Sequence, residues 1–84
     1  MNVSPVRLER NVRQRQMDPG GERDYIDGIA IHAGDYIRVF HDGRWQDARY
    51  EANWHRGRIE WAWAYLSESV AVPITAETLV ELPS

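Results

Sequence analysis

Residues 35–66, DYIRVFHDGRWQDARYEANWHRGRIEWAWAYL, decide the fold. They divide into three β-favouring runs, DYIRVF, RWQDARYEA and RIEWAWAYL, separated by HDGR and NWHRG. An Asp-Gly pair between such runs suits a two-residue type I′ hairpin, where both central residues take positive φ. That turn fixes a register: His41 faces Arg44, Phe40 faces Trp45, Val39 faces Gln46, Arg38 faces Asp47, Ile37 faces Ala48 and Tyr36 faces Arg49. Facing residues share a side of the sheet and sides alternate along a strand, so Ile37, Val39, Ala48 and Tyr50 fall together and read as core. Tyr36, Arg38, Phe40, Trp45, Asp47 and Arg49 fall on the other side, an adhesive mixture of aromatic rings with a cross-strand Arg38/Asp47 pair. A slip of one residue in the turn would exchange the two faces.

The third run alternates too. Ile59, Trp61, Trp63 and Tyr65 make one side, while Glu60, Ala62, Ala64 and Leu66 make the other. Bulky residues on one side and small ones on the other suggest a central barrel strand. Large aromatics favour burial, so at least one of Trp61 and Trp63 is expected in the core, with the other lining a groove.

Outside this meander, Tyr25-Ile26 leads into Asp27-Gly28, and Ile29-Ala30-Ile31-His32 is a short strand closing at Ala33-Gly34-Asp35. Val70-Ala71-Val72-Pro73-Ile74 is a strand whose proline confines it to an edge or an end. Thr75 to Thr78 can form a single helical turn capped by the Thr75 hydroxyl, before Leu79 to Leu82 returns as a last strand. The expected fold is all-β: a small, partly open barrel of five or six short antiparallel strands with one helical turn near the C-terminus.

Eighty-four residues, 43% of them hydrophobic, permit one domain. A domain of this size buries about 60% of its unfolded-chain surface and leaves little room for a cleft enclosing a large cofactor. Cysteine is absent, which excludes disulfides, thiolate zinc sites and a catalytic thiol. No apolar run approaches a membrane span, and residues 1–16 lack the apolar stretch of a signal peptide, so a cytoplasmic location is the expectation.

The net charge of −3 conceals an asymmetry. Residues 1–16 hold four arginines against one glutamate, a net of +3, whereas residues 17–84 hold six arginines against twelve acids, a net of −6. The segment NVSPVRLERNVRQRQMDPGG admits three readings: a helix begun at Ser4-Pro5, an edge strand through Val6 and Leu8, or a polar tail ending at the breaker Asp18-Pro19-Gly20-Gly21. The tail is preferred, giving a flexible arginine-rich arm over 1–21 and a β domain over 22–84.

The run DGIAIHAGDYIRVFHDGRWQDARYE resembles small SH3-like barrel domains found in uncharacterised proteins of bacterial phages and other mobile elements. The resemblance covers roughly residues 25–66. It implies an SH3-like barrel that binds rather than catalyses, an accessory or host-interfering protein, and it transfers no site residue.

Enzymatic constellations are not evident. His32, His41 and His55 lie on different turns, and none has the tight spacing of a metal-binding pair with Asp35 or Asp42. Ser4, Ser67, Ser69 and Ser84 lack an elbow motif or an obvious base. The carboxylate pairs Asp42/Asp47 and Glu51/Glu60 would need a sugar cleft that so short a chain rarely provides. Neither a metal nor a cofactor is expected. The leading reading is a protein-binding module in which Tyr36, Phe40, Trp45 and Trp54 supply aromatic anchors and Arg38, Arg49, Arg56 and Arg58 supply orientable polar contacts. Trp54 is expected at an exposed hairpin tip. A homodimer seam could use the same rings. The alternative is single-stranded nucleic-acid binding by the arm and by RWQDARYEANWHRGR, which has a local net of +2.

Overall fold

Three two-residue turns set the architecture. Asp27-Gly28, Asp42-Gly43 and Arg56-Gly57 all take positive φ at both positions, 52° and 77°, 57° and 77°, and 53° and 77°. These are the dihedral signs of type I′ turns, whose twist matches that of the strands they join. Aspartate tolerates this conformation through its short polar side chain; Arg56 has none, and adopts it at a cost of about 1–2 kcal/mol.

The computed structural model describes residues 6–7, 17–18 and 21–83. Its elements are β1 (Val6–Arg7), β2 (Met17–Asp18), β3 (Gly21–Glu22), β4 (Asp24–Ile26), β5 (Ile29–Ile31), β6 (Tyr36–His41), β7 (Arg44–His55), β8 (Arg58–Ser67), β9 (Val70–Pro73) and β10 (Leu79–Glu81). Six strands form an antiparallel sheet in the order β1-β10-β6-β7-β8-β9, while β2-β3 and β4-β5 are separate two-stranded ribbons. The fold is all-β, and the main sheet is open: among the described residues no pairing joins β1 to β9. The proline-containing strand is at the edge, as its missing N–H requires.

The β6–β7 register is the one the Asp-Gly turn dictates, from His41 opposite Arg44 to Tyr36 opposite Arg49. Ile37, Val39, Ala48 and Tyr50 are buried, joined by Ile26, Ile31, Ala62, Ala64, Ile74 and Val80 in one core on the inner face of the sheet. The β4-β5 ribbon contributes Ile26 and Ile31 and so covers that face.

On β8 the structure corrects the expectation of a core tryptophan. Ala62 and Ala64 are buried, whereas Trp61 is exposed and Trp63 is only half-buried. The cause is a bulge. Trp54 pairs with Ile59, but its neighbour Asn53 pairs with Trp61, leaving Glu60 unmatched on β8. Beyond that residue Ala62 faces Ala52 and Ala64 faces Tyr50, so the small side chains take the core side. A second shift, between Tyr65 and Ser67, leaves Leu66 unmatched against β9.

Two buried acids fasten the N-terminal ribbons to the meander. Asp24, 1% exposed, accepts a hydrogen bond from the Tyr50 hydroxyl at 2.5 Å. Glu22, 2% exposed, accepts from the Ile59 N–H at 2.8 Å through its carboxylate, and its own N–H donates to the Gly57 carbonyl at 2.7 Å. Gly21, at φ 109°, lies so close to this turn that an added Cβ would sit 3.1 Å from the Gly57 oxygen. The Ala33-Gly34 corner is tied to the same strand, since the Gly34 N–H donates to the Tyr50 carbonyl and the Tyr50 N–H to the Asp35 carbonyl.

Near the C-terminus the expected helical turn is instead a β-turn. The Thr78 N–H donates to the Thr75 carbonyl at 3.1 Å, and the Thr75 hydroxyl accepts from the Glu77 N–H at 3.2 Å. The hydroxyl therefore acts as anticipated, but the chain leaves for β10 before a helix can form. Within segment 1–21, β1 pairs with β10 and β2 with β3, while the rest of the arm up to Gly20 lies outside the described residues.

Two predictions follow from this geometry. Deleting Glu60 would remove the bulge yet keep Trp61 opposite Asn53, Ala62 opposite Ala52 and Ala64 opposite Tyr50, so the variant should retain a cooperative unfolding transition, whereas loss of that transition would show that the bulge itself is needed; Glu60→Ala should stay within about 0.5 kcal/mol of the parent. Tyr50→Phe removes the donor to a buried carboxylate and should cost about 1–3 kcal/mol in urea unfolding, an effect absent if that contact is dispensable.

Candidate functional site

Alternation along β6, β7 and β8 gathers six aromatic residues on the outer face: Tyr36, Phe40, Trp45, Trp61, Trp63 and Tyr65. Tyr36 is 69% exposed, Phe40 42% and Trp61 40%, so the face is wet and apolar at once. Rings at its two ends interlock. Phe40 and Trp45, paired across the first hairpin, meet edge-to-face at 5.5 Å between centroids, and Trp61 and Trp63 do so at 5.9 Å. Such contacts hold the rings in preferred geometry and are worth about 0.5–1.5 kcal/mol each beyond area burial.

Charged side chains occupy the band between these ends, paired with one another. Arg38 donates to Glu81 at 2.9 Å and lies 3.5 Å from Asp47. Arg49 donates to Glu51 at 2.8 Å, and its guanidinium stacks 5.3 Å from the centre of the Tyr65 ring. Exposed pairs such as Arg38–Asp47 contribute little stability, about 0–1 kcal/mol, but together with the part-buried Arg38–Glu81 contact they fix side-chain positions. A hollow of about 260 Å³ lies among Tyr36, Asp47, Arg49, Tyr65 and Glu68, and a neighbouring one of about 610 Å³ is lined by Tyr36, Ile37, Arg38, Asp47 and Pro83. Both share Tyr36 and Asp47, so they are parts of one surface.

Of the residues expected to bind a partner, Tyr36, Arg38, Phe40, Trp45 and Arg49 do share this face. Trp54 does not. It lies within β7, half-buried, and its indole N–H donates to the Glu22 carbonyl at 2.7 Å while Arg23 stacks on its ring at 5.3 Å. The expectation of an exposed tip fails because the loop of the second hairpin is only Arg56-Gly57, which returns Trp54 to the strand. Arg56 and Arg58 are exposed at that hairpin's end, six or more residues beyond Arg49, roughly 20 Å along an extended strand.

Trp61 and Trp63, of which at least one was expected in the core and the other in a groove, both join the face together with Tyr65, and the Glu60 bulge is the reason. The structural role of Glu22 and Asp24 had a signal in GERDYI: an acid at i and at i+2, with Ile26 at i+4, puts both carboxylates on the side of a core residue.

His32 is engaged with Asp35 at 3.6 Å, and the Ser67 hydroxyl accepts from the Ser69 N–H at 3.3 Å. Among the described residues no group of three or more His, Asp or Glu is placed to hold a metal ion, and no helix is long and apolar enough to cross a membrane. Compared with known proteins, the chain matches no family model, no curated protein and no solved structure.

Trp54→Ala should behave as a structural lesion, removing a half-buried ring and the partner of the Glu22 carbonyl. A loss of about 2–4 kcal/mol by urea unfolding is expected, against less than about 1 kcal/mol for Phe40→Ala; the reverse order would restore Trp54 to the surface.

Proposed function

We propose that the outer face of the main sheet is a protein-binding surface and that the chain is a non-enzymatic binding module. One observation carries this reading: six aromatic side chains share a solvent-facing sheet surface whose central arginines, Arg38 and Arg49, are already ion-paired. Aromatic rings set among fixed polar groups are the composition of interface hot spots. The resemblance of residues 25–66 to small SH3-like domains of phage and mobile-element proteins agrees with a binding role, as a cytoplasmic accessory or host-interfering protein.

Nucleic acid is the weaker occupant on electrostatic grounds. Strand binding draws its affinity from arginines free to meet phosphate. On this face Arg38 and Arg49 are opposed by Asp47, Glu51 and Glu81, one carboxylate in excess. Arg56 and Arg58 are exposed beyond the Trp61 end of the face, roughly 20 Å along the strand from the Arg49 row.

Immobilised wild-type chain should retain a protein partner from nuclease-treated lysate. Retention should fall at least about tenfold for a Tyr36→Ser/Phe40→Ser double variant and remain unchanged for Arg56→Ala/Arg58→Ala. Recovery that collapses with nuclease, or with the arginine variant alone, would move the function to nucleic acid.

A further inference from the structure

We infer that the occupant of the outer face is a second copy of this chain, stacked sheet against sheet about a two-fold axis. The inference rests on reading that face as a protein-binding surface, and three features of the face select the partner.

The first is where the apolar mass lies. Among the described residues the core holds ten buried hydrophobic side chains, three of them alanines, and Tyr50 is the one buried aromatic. Three of the four tryptophans, with Phe40, Tyr36 and Tyr65, lie on the opposite side of the sheet. A chain of 84 residues gains little from so thin a core, and small domains commonly complete their burial by association. A sheet with one covered and one aromatic face is half of a sandwich, whose second layer would lie about 10 Å away.

The second is charge. A foreign partner recognised electrostatically would need unmatched charges on this face to meet its own. Here Arg38 is held by Glu81 and Asp47, and Arg49 by Glu51. The one carboxylate in excess is offset by exposed Arg58, which pairs opposite His55 on the same side of the sheet, so a copy can meet this face with little net like-charge repulsion, as an isologous interface requires.

The third is size and layout. The five strands β10-β6-β7-β8-β9, about 4.8 Å apart and three to twelve residues long at about 3.3 Å per residue, make a face of roughly 25 Å on a side. Its projected area of about 600 Å², enlarged by side-chain relief, approaches the ~800 Å² per partner of a stable interface. The Phe40–Trp45 pair and the Trp61–Trp63 pair lie toward opposite ends, on either side of the Tyr36–Arg49–Tyr65 row. A two-fold axis in the plane of contact, running along that row, sets the first ring pair of each copy toward the second ring pair of the other.

The full chain at about 100 µM should sediment with twice its 9.8 kDa mass and dissociate on dilution toward about 1 µM or below. Phe40→Asp and Trp63→Asp should each sediment as the single chain with unchanged far-ultraviolet circular dichroism. Wild-type tryptophan emission should move to longer wavelength across the dilution while the circular dichroism stays constant, a readout that holds even if an aspartate variant fails to fold. A single-chain mass at about 100 µM, or no emission shift on dissociation, overturns the inference. So does a dimer lost on Val70→Lys but kept on Phe40→Asp, which would be paired through the β9 edge. A monomer that still retains a foreign protein through Tyr36 and Phe40 would leave the protein-binding reading intact and remove only the second copy.

Discussion

Side chains alternate across a strand with a period of two, so one unmatched residue exchanges the two faces of everything beyond it. Glu60 is that residue. Before it, Trp54 and Ile59 are opposed and close upon Glu22; after it, Ala62 and Ala64 turn inward and Trp61, Trp63 and Tyr65 turn outward. The small inner residues face Ala52 and Tyr50, and the outer ones extend the aromatic surface begun by Tyr36, Phe40 and Trp45. Core and candidate site are thus settled by the same bulge.

The sheet's inner face is closed by polar contacts as much as by apolar ones. A carboxylate removed from water is costly unless hydrogen bonds compensate it, and both buried acids accept such bonds from the meander. Asp24 is bound by the Tyr50 hydroxyl, which lies in the middle of the core, and Glu22 binds the β7–β8 hairpin at its N–H, carbonyl and carboxylate. These directional contacts define where the N-terminal ribbons sit on a surface whose isoleucines and alanines alone would allow many positions.

Legibility from sequence followed locality. The register from Tyr36 to Arg49 could be written from Asp42-Gly43 because a two-residue loop leaves no freedom in the pairing. Pro73 placed its strand at an edge through a missing N–H, and Thr75 announced its turn through a hydroxyl. What sequence concealed was non-local. No property of Glu60 marks it as unmatched, since the bulge is a relation between two strands. Trp54 looked exposed because Glu22 and Arg23, the residues that cover it, lie some thirty positions away. Arg56 hid the second two-residue loop, being neither Asp nor Asn, and the adjacent Gly57 was its one sign. Five of the eight residues chosen for the surface lie together because their strands flank the legible turn.

The contacts that close the core also impose an order on folding. Pairings within the meander join near neighbours through two-residue loops, whereas Asp24 reaches Tyr50 across 26 residues, and Glu22 reaches Trp54 and Ile59 across 32 and 37. Closing long loops is slow relative to zipping hairpins. On a growing chain the strands carrying Glu22 and Asp24 leave the ribosome before the meander does, yet they have no finished surface to dock against until β8 has been made. The segment that seals this protein is therefore synthesised before the surface it seals and is among the last to find its place.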